Sequence, residues 1–352
     1  MPFPQWKRVR RLGLRRGAVV LSATSLALLS PVTVFAKTNR PNWNPGPPWA
    51  PLAPGSGEML EISNLFWIML VISGIVFAIV SGVLITSAVR YSARRGQEGE
   101  PRQVFGNRTV EVAWTVVPTV ILLVAFVATT KAIHDINTPS GGNILNINVI
   151  GHQWWWEFRY PDNAIAANEL HVPTGRQVRL NLLSADVVHN FWVPELAGKE
   201  QMIPGQNNVW TFTAEKAGAY DGACSEFCGT QHGWMRLTVI ADAPADFERW
   251  LAAQKQAPSS ASNHGDALAL YATNACGGCH TIQGVSDGKV APDLTHIGIR
   301  TTIGSGVLAN TPENMVKWMK DPQAYKPGSL MPNFHFSDEQ ARQMAAFLED
   351  LK

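Results

Sequence analysis

The sequence predicts a multidomain chain: a two-helix transmembrane hairpin, then an all-β barrel or sandwich, then an all-α domain. Three observations carry this expectation. Leu65–Val89 and Val110–Thr130 are nearly unbroken apolar runs, and about 20 such residues cross the hydrocarbon core of a bilayer. From Asn143 onward the texture changes to short alternating stretches punctuated by Gly and Pro, as in half-buried strands. Beyond a small polar stretch, helical patterns with cap signals return. The 352 residues suffice for two or three domains. With 29 Lys and Arg against 27 Asp and Glu, the charge is nearly balanced and carries no nucleic-acid signature.

Residues 1–36 read as a secretory signal. Lys7, Arg8, Arg10, Arg11, Arg15 and Arg16 form a basic start, Ala18–Leu29 a short apolar core, and Val34-Phe35-Ala36 ends on a small residue. The other reading is a permanent first membrane helix, which the polar interruptions and shortness of the core disfavour. Residues 37–57 are Pro-rich and predict an extended segment. The hairpin is expected over 58–135, with helices about 62–90 and 110–132. Arg90, Arg94, Arg95, Arg102 and Arg108 lie between the two runs. Positive loops stay in the cytoplasm, so both open ends of the hairpin, and everything after Ile136, face the periplasm.

The β domain is expected over 143–250. Strands are predicted at Ile144–Val149, Trp155–Tyr160, Gln177–Leu183, Val187–Val193, Asn208–Phe212 and Met235–Ile240. Three consecutive Trp in Gly151–Asp162 cannot share one face, because side chains alternate across a strand. Asp221–Met235 reads DGACSEFCGTQHGWM, and His189 lies upstream in SADVVHNFWVP. Cys224, Cys228, His189, His232 and Met235 offer two thiolates, two imidazoles and a thioether, a soft donor set that suits copper and not magnesium or calcium. A mononuclear copper loop needs one Cys; a second thiolate can bridge two ions. A Cys224–Cys228 disulfide or a structural zinc site are the alternatives. Ligands from one strand end and one hairpin-like loop, meeting at one end of a barrel, make a cupredoxin arrangement.

Residues 251–265 are small and polar and read as a linker. The domain over 266–352 opens with Cys276-Gly-Gly-Cys279-His280, the c-type haem attachment pattern. Its two thiols add to the haem vinyl groups, and His280 reaches the iron. Thr311-Pro312-Glu313 opens one helix, and Ser337 with Gln340 forms a capping box for another. Met331 is the expected sixth ligand, with His296 and His335 as rivals. Met315, Met319 and Met344 fall within predicted helices and read as core. His134, His152, His171 and His264 read as surface or structural residues.

The copper loop, the aromatic stretch GHQWWWEFRYPD, and the order of hairpin, β domain and haem motif together resemble subunit II of a cytochrome c oxidase with a fused cytochrome c domain, the caa type. The resemblance implies a cupredoxin domain holding dinuclear CuA. Cys224 and Cys228 would bridge, with one imidazole on each copper from His189 and His232. Met235 would be a weak axial ligand, and Glu226 would ligate through its carbonyl. It also implies a magnesium ion near the Glu226 side chain at the boundary with subunit I. Trp154 matches the family's surface Trp where electrons come in from cytochrome c; packing of all three Trp behind the copper loop is the other reading. Glu111 matches a Glu near a proton path into subunit I; an interfacial residue at a helix start reads equally well. Pro292 resembles the proline whose carbonyl accepts a hydrogen bond from the proximal His280, and the last domain resembles a small class I cytochrome c.

The expected function is electron input to a proton-translocating terminal oxidase of the bacterial inner membrane. A cytochrome c or a quinol–cytochrome c reductase would be the donor, and subunits I and III the partners. Oxygen reduction belongs to subunit I. A CuA-containing nitric oxide reductase subunit would share the relay with another acceptor. A membrane-tethered copper-binding or cytochrome c protein without an oxidase would lack one. A quinol oxidase subunit would lack the copper ligands, which are all present.

Overall fold

The computed structural model describes residues 53–92, 103, 105–138, 142–258 and 263–352. The expected signal at 1–36, most of the Pro-rich segment, Arg94, Arg95 and Arg102 of the inter-helix loop, and 259–262 of the linker lie outside the described residues.

Helix α1 (Gly57–Arg90) and helix α2 (Arg108–Asn137) form the hairpin. Both are longer than the apolar runs alone suggest, because polar caps extend them. The Ser56 side chain accepts from the Met59 N–H at 2.9 Å. Asn107 accepts from the Thr109 and Val110 N–H groups at 3.1 and 3.3 Å. Both helices are long and apolar enough to cross a membrane, and their apolar side chains are largely exposed within the chain, as a lipid-facing surface requires. Pro118 lies inside α2; Thr115 and Thr119 hydroxyls donate back to the Glu111 and Thr115 carbonyls at 2.9 and 2.7 Å. The start of α1 is fastened to the β domain. Gly55 N–H donates to Glu195 O at 2.8 Å, Glu215 N–H to Gly55 O at 3.0 Å, and Thr213 N–H to the Glu58 carboxylate at 3.1 Å.

The β domain is a sandwich of two five-stranded sheets. Its strands are β1 (Leu145–His152), β2 (Trp155–Arg159), β3 (Ile165–Ala167), β4 (Glu169–Pro173), β5 (Val178–Ser184), β6 (His189–Trp192), β7 (Glu200–Met202), β8 (Asn208–Phe212), β9 (Gly218–Cys224) and β10 (Arg236–Asp242). One sheet runs β3-β2-β1-β5-β8 and the other β4-β10-β9-β6-β7. The pairs β1/β5 and β10/β4 are parallel. In β1, Leu145, Ile147 and Val149 are buried while Asn146 and Asn148 are exposed, so period 2 sets which face meets the other sheet. Between the sheets, Phe191 packs edge-on against Trp156 and Trp210, with centroids 5.4 and 5.2 Å apart. Of the three consecutive Trp, Trp156 enters this core and Trp155 stacks on His152 at 4.2 Å. Trp154 is half-buried just before β2. Strands β3, β4, β7 and β9 were not expected from the sequence; they are short, or Gly-broken in the case of β9, and exist through pairing.

Helix α3 (Pro244–Gln254) follows β10 and runs into the stretch expected as linker. It buries Phe247 and Leu251, and Trp250 stacks on His171 at 4.2 Å. The C-terminal domain contains α4 (Gly265–Thr273), α5 (Pro312–Lys320), α6 (Pro322–Tyr325) and α7 (Asp338–Asp350). The capping box is present: Ser337 N–H donates to the Gln340 side chain at 2.9 Å, and Gln340 N–H to the Ser337 hydroxyl at 3.2 Å. The domain is helical with two two-residue ribbons, 281–282 with 286–287 and 302–303 with 308–309, which the all-α expectation did not include. Met315, Met319, Met344, Phe347 and Leu348 are buried in its core.

Phe191→Ala removes the ring shared by both aromatic contacts and should destabilise the sandwich by about 3–5 kcal/mol. Urea unfolding of the detergent-solubilised chain, followed by tryptophan fluorescence, reads this as an earlier sandwich transition.

Candidate metal and haem centres

Strand pairing assembles the donor cluster. Phe191 on β6 faces Cys224 on β9. His189 lies two positions upstream of Phe191, so it shares the face of Cys224 and stands beside the chain leaving β9. That chain, Ser225–Met235, joins β9 to β10 and closes where Cys224 N–H donates to Met235 O at 3.0 Å. Ser225 ties its start to Asn190: its N–H donates to the Asn190 carbonyl at 3.1 Å, and its hydroxyl to the Asn190 side chain at 2.8 Å. Gly151 permits the approach of His189, because a Cβ there would come within 2.8 Å of the imidazole Cδ2.

The six expected copper donors converge. The Cys224 and Cys228 sulfurs are 3.7 Å apart, and all four cysteines of the chain are free. His189 Nδ1 is 3.9 Å from the Cys224 sulfur, and His232 Nδ1 is 3.7 Å from the Cys228 sulfur. Met235 Sδ lies 3.8 Å from the Cys228 sulfur, and the Glu226 carbonyl oxygen 3.2 Å from the Cys224 sulfur. His189, Cys224 and Cys228 are buried, and their donor atoms lie within 4.8 Å of one another. One imidazole per sulfur, with a thioether and a carbonyl outside, is a soft set that fits copper.

The electrostatics agree. The Cys228 hydrogen bond holds the Cys224 thiol well below the usual thiol range, with His189 helping against burial. The same bond, then burial, pushes Cys228 up. Two sulfurs at this distance share one proton unless a cation replaces it. Burial would lower His189, but its bonds to Cys224 and Asp186 outweigh that and raise it. The sequence offers Asp186, like Asp162, only as a docking or metal-shell carboxylate, and the structure gives Asp186 its partner. Its carboxylate is 2.8 Å from His189 Nε2 and accepts from Gln153 N–H at 2.6 Å. Holding Nε2 fixes the ring so that Nδ1 faces the sulfurs. Only its position three residues before His189 hinted at this.

A cavity of about 370 Å³ lies between the C-terminal domain and the Gln153–Trp155 edge of the β domain. Cys276, Cys279, His280 and Met331 line it. His280 Nδ1 donates to Pro292 O at 2.7 Å, which leaves Nε2 for a ligand. Burial, opposed by this bond, lowers the His280 pKa. Buried Tyr271 donates to His280 O at 3.2 Å and is itself pushed up to about 12 by burial. A largely apolar cavity with two thiols and an oriented imidazole on one wall fits a covalent haem. Met315, Met319 and Met344 also line it from helices, whereas His296 and His335 do not.

Trp154 stands between the two centres. Its indole N–H donates to Cys228 O at 2.9 Å, and the Gln153 side chain donates to the same oxygen at 2.8 Å. Trp154 also lines the haem-side cavity. Glu111 is elsewhere: it sits in the first turn of α2, separated from the sandwich end by about 40 Å of helix.

These features define a membrane-anchored electron carrier with a soft-donor metal centre on a β-sandwich and a haem-attachment motif on a helical domain. Three family models match: cytochrome c oxidase subunit II, transmembrane domain, over 53–130; its periplasmic domain over 164–242; and cytochrome c over 266–352. Cytochrome c oxidase subunit 2 of Alkalihalophilus pseudofirmus is 33% identical over 296 residues, covering 81% of this chain and 84% of its own. That of Bacillus sp. strain PS3 is 32% identical over 290 residues, covering 74% and 80%. The solved periplasmic domain of subunit II from Bradyrhizobium japonicum is 29% identical, with 34% of this chain and 96% of that one covered and a TM-score of 0.32. The chain belongs to the cytochrome c oxidase subunit II family, in the form that carries a C-terminal cytochrome c domain. The family implies copper and haem c, a place beside subunit I in a haem–copper oxidase, and periplasmic domains on a membrane anchor.

Asp186→Asn should weaken copper binding roughly 10–100-fold, as loss of an outer-shell partner of a ligating histidine does. Titration against a copper chelator measures it; unchanged affinity would remove Asp186 from the site.

Proposed function

We propose that this chain carries electrons, one at a time, from a periplasmic donor through its haem domain and then its copper domain to subunit I, where oxygen is reduced to water with proton translocation. The observation that carries the reading is the position of Trp154, hydrogen-bonded to Cys228 O and on the wall of the haem-side cavity at once. Bound in their sites, dinuclear copper and haem c supply reversible one-electron oxidation and reduction.

The chain's own residues then do the following. Cys224, Cys228, His189, His232, Met235 and the Glu226 carbonyl would together hold the copper. Strand ends β6 and β9 keep these donors rigid, which limits rearrangement on electron gain. Cys276 and Cys279 would tether the haem, and His280, its orientation set by Pro292, and Met331 would be its ligands. A thioether there raises the potential, which suits donation to copper. Trp154, bonded to Cys228 O and on the wall of the haem-side cavity, provides the route between the centres. The covalent tether replaces a diffusional encounter with an intramolecular one.

Further parts of the reading rest on the family resemblance. The Glu226 carboxylate takes part in a magnesium site at the subunit I boundary, and Glu111 lies near a proton-path mouth. Subunit III is a partner, and the donor is a cytochrome c or a quinol–cytochrome c reductase. The complex lies in the bacterial inner membrane, after removal of the 1–36 signal.

Electron paramagnetic resonance of the oxidised chain tests the core of this. Hyperfine structure from one electron shared by two equivalent copper nuclei, beside a low-spin ferric haem signal, is expected. A mononuclear copper pattern in the unaltered chain would sink the dinuclear assignment. Met331→His should leave the haem attached and lower its potential by on the order of 100 mV or more, measured by redox titration of the haem band. An unchanged potential would remove Met331 from the iron.

A further inference from the structure

The haem domain is bonded to the copper domain through groups outside the expected donor sets of both centres. Glu169 opens β4, on the copper domain, and is 3% exposed. Its carboxylate accepts from the Thr301 N–H at 2.8 Å, the Thr301 hydroxyl at 2.7 Å and the Thr302 N–H at 2.9 Å, all on the haem domain. A carboxylate leaves water at high cost unless such donors replace it, and charge-assisted bonds to backbone N–H groups are the strong kind. Arg300 lines the same crevice; burial lowers its pKa, opposed by the nearby Asp293 and Glu169 carboxylates.

A second tie starts on the haem domain. Lys326 is 5% exposed, and its ammonium donates to Trp154 O at 2.9 Å and Gly304 O at 3.3 Å. Burial, with nearby Arg236, pulls it down to about 7. This buried amine therefore holds the backbone of the residue that lies between the centres. A third tie is Ser305, whose hydroxyl donates to Arg236 O at 3.0 Å and bonds Asn168 Oδ1 at 3.2 Å. Gly328 completes the fit: at φ +85, a Cβ there would sit 3.0 Å from Thr230 and 3.2 Å from Gln231 of the copper loop. Lys326, Gly328 and Met331 share one short loop, so the segment carrying the expected iron ligand touches the copper loop directly.

We propose that Glu169 and Lys326 are positioning residues that lock the haem domain onto the copper domain, so that electrons cross at Trp154 from a fixed docked geometry and not from encounters of a domain swinging on its linker. This rests on the relay proposed above. The lock acts through geometry: Glu169 sets the 301–305 loop against β4, and Lys326 sets Trp154 against the wall of the haem cavity.

The test uses the full chain in its oxidase complex with both centres loaded. The haem is reduced by a light flash, its reoxidation is timed at increasing solvent viscosity, and hydrogen exchange is read at the Thr301 and Thr302 amides. In the unaltered chain the expected results are protected amides and a viscosity-independent rate. In Glu169→Ala/Lys326→Met, both centres should keep their spectra, the two amides should exchange faster, and transfer should slow by roughly tenfold or more and become viscosity-dependent, because the partner is then met at a lower effective concentration. Glu169→Gln, which keeps one acceptor oxygen, should retain the viscosity-independent phase. A double variant with intact spectra and an unchanged, viscosity-independent rate overturns the lock alone. A rate already viscosity-dependent in the unaltered chain also overturns it. Absence of the copper or haem signature in the unaltered chain overturns the relay, and the lock with it.

Discussion

Two sulfur atoms held 3.7 Å apart inside a folded domain set the terms for the rest of this structure. Both cannot be charged there without a cation between them, because neither water nor a second counter-ion reaches them cheaply. The surroundings keep the pair close all the same. The β9–β10 connection carries Cys228, His232 and Met235 back over Cys224, and the Phe191–Cys224 pairing brings in His189 from β6. Beneath lies the Trp156–Phe191–Trp210 cluster, a packed floor that leaves little room for ligand movement. A centre that must gain and lose an electron repeatedly benefits from donors that are already in place.

The same rigidity extends outward in two directions. Toward the membrane, the start of α1 is sewn to the sandwich by Gly55 and Glu58, so the anchor is joined to the domain that carries the donor cluster. Toward the C-terminus, Glu169, Lys326 and Ser305 tie the cytochrome c domain to the sandwich. Trp154 sits at the junction, its side chain bonded toward the copper loop and its carbonyl toward the haem domain. One residue thus belongs mechanically to both centres.

The chemistry was largely legible in the residues because it is written in short spacings. Cys276-x-x-Cys279-His280 must lie on one turn for both thiols and the imidazole to reach one ring. Cys224, Cys228, His232 and Met235 fall on one loop. The hairpin was legible because apolar length is a one-dimensional property. The sandwich was harder. Strands β1 and β5 show alternation, and β2, β6, β8 and β10 fall in short runs rich in aromatic and branched residues, whereas β4 (ELHVP) and β9 (GAYDGAC) have weak intrinsic preference and form through pairing with β10, in one case parallel and distant in sequence. Helix α3 was not expected: it straddles the boundary placed between the β domain and the linker, and its short apolar stripe of Phe247 and Leu251 shows only once it packs on the sandwich.

The sequence by itself therefore determined the order of domains, the membrane hairpin, the donor types and the Cys276-x-x-Cys279-His280 motif, since each depends on residues near one another along the chain. Only the tertiary structure decided that His189 meets the thiols, that Asp186 orients it, that Met331 lines the haem cavity while His296 and His335 do not, and that Glu169 reaches across to Thr301. Those contacts join segments brought together by sheet pairing and domain docking, and their partners are ordinary polar residues. An Asp, a Glu or a Lys acquires a particular role only when burial removes water and leaves one set of donors or acceptors within reach.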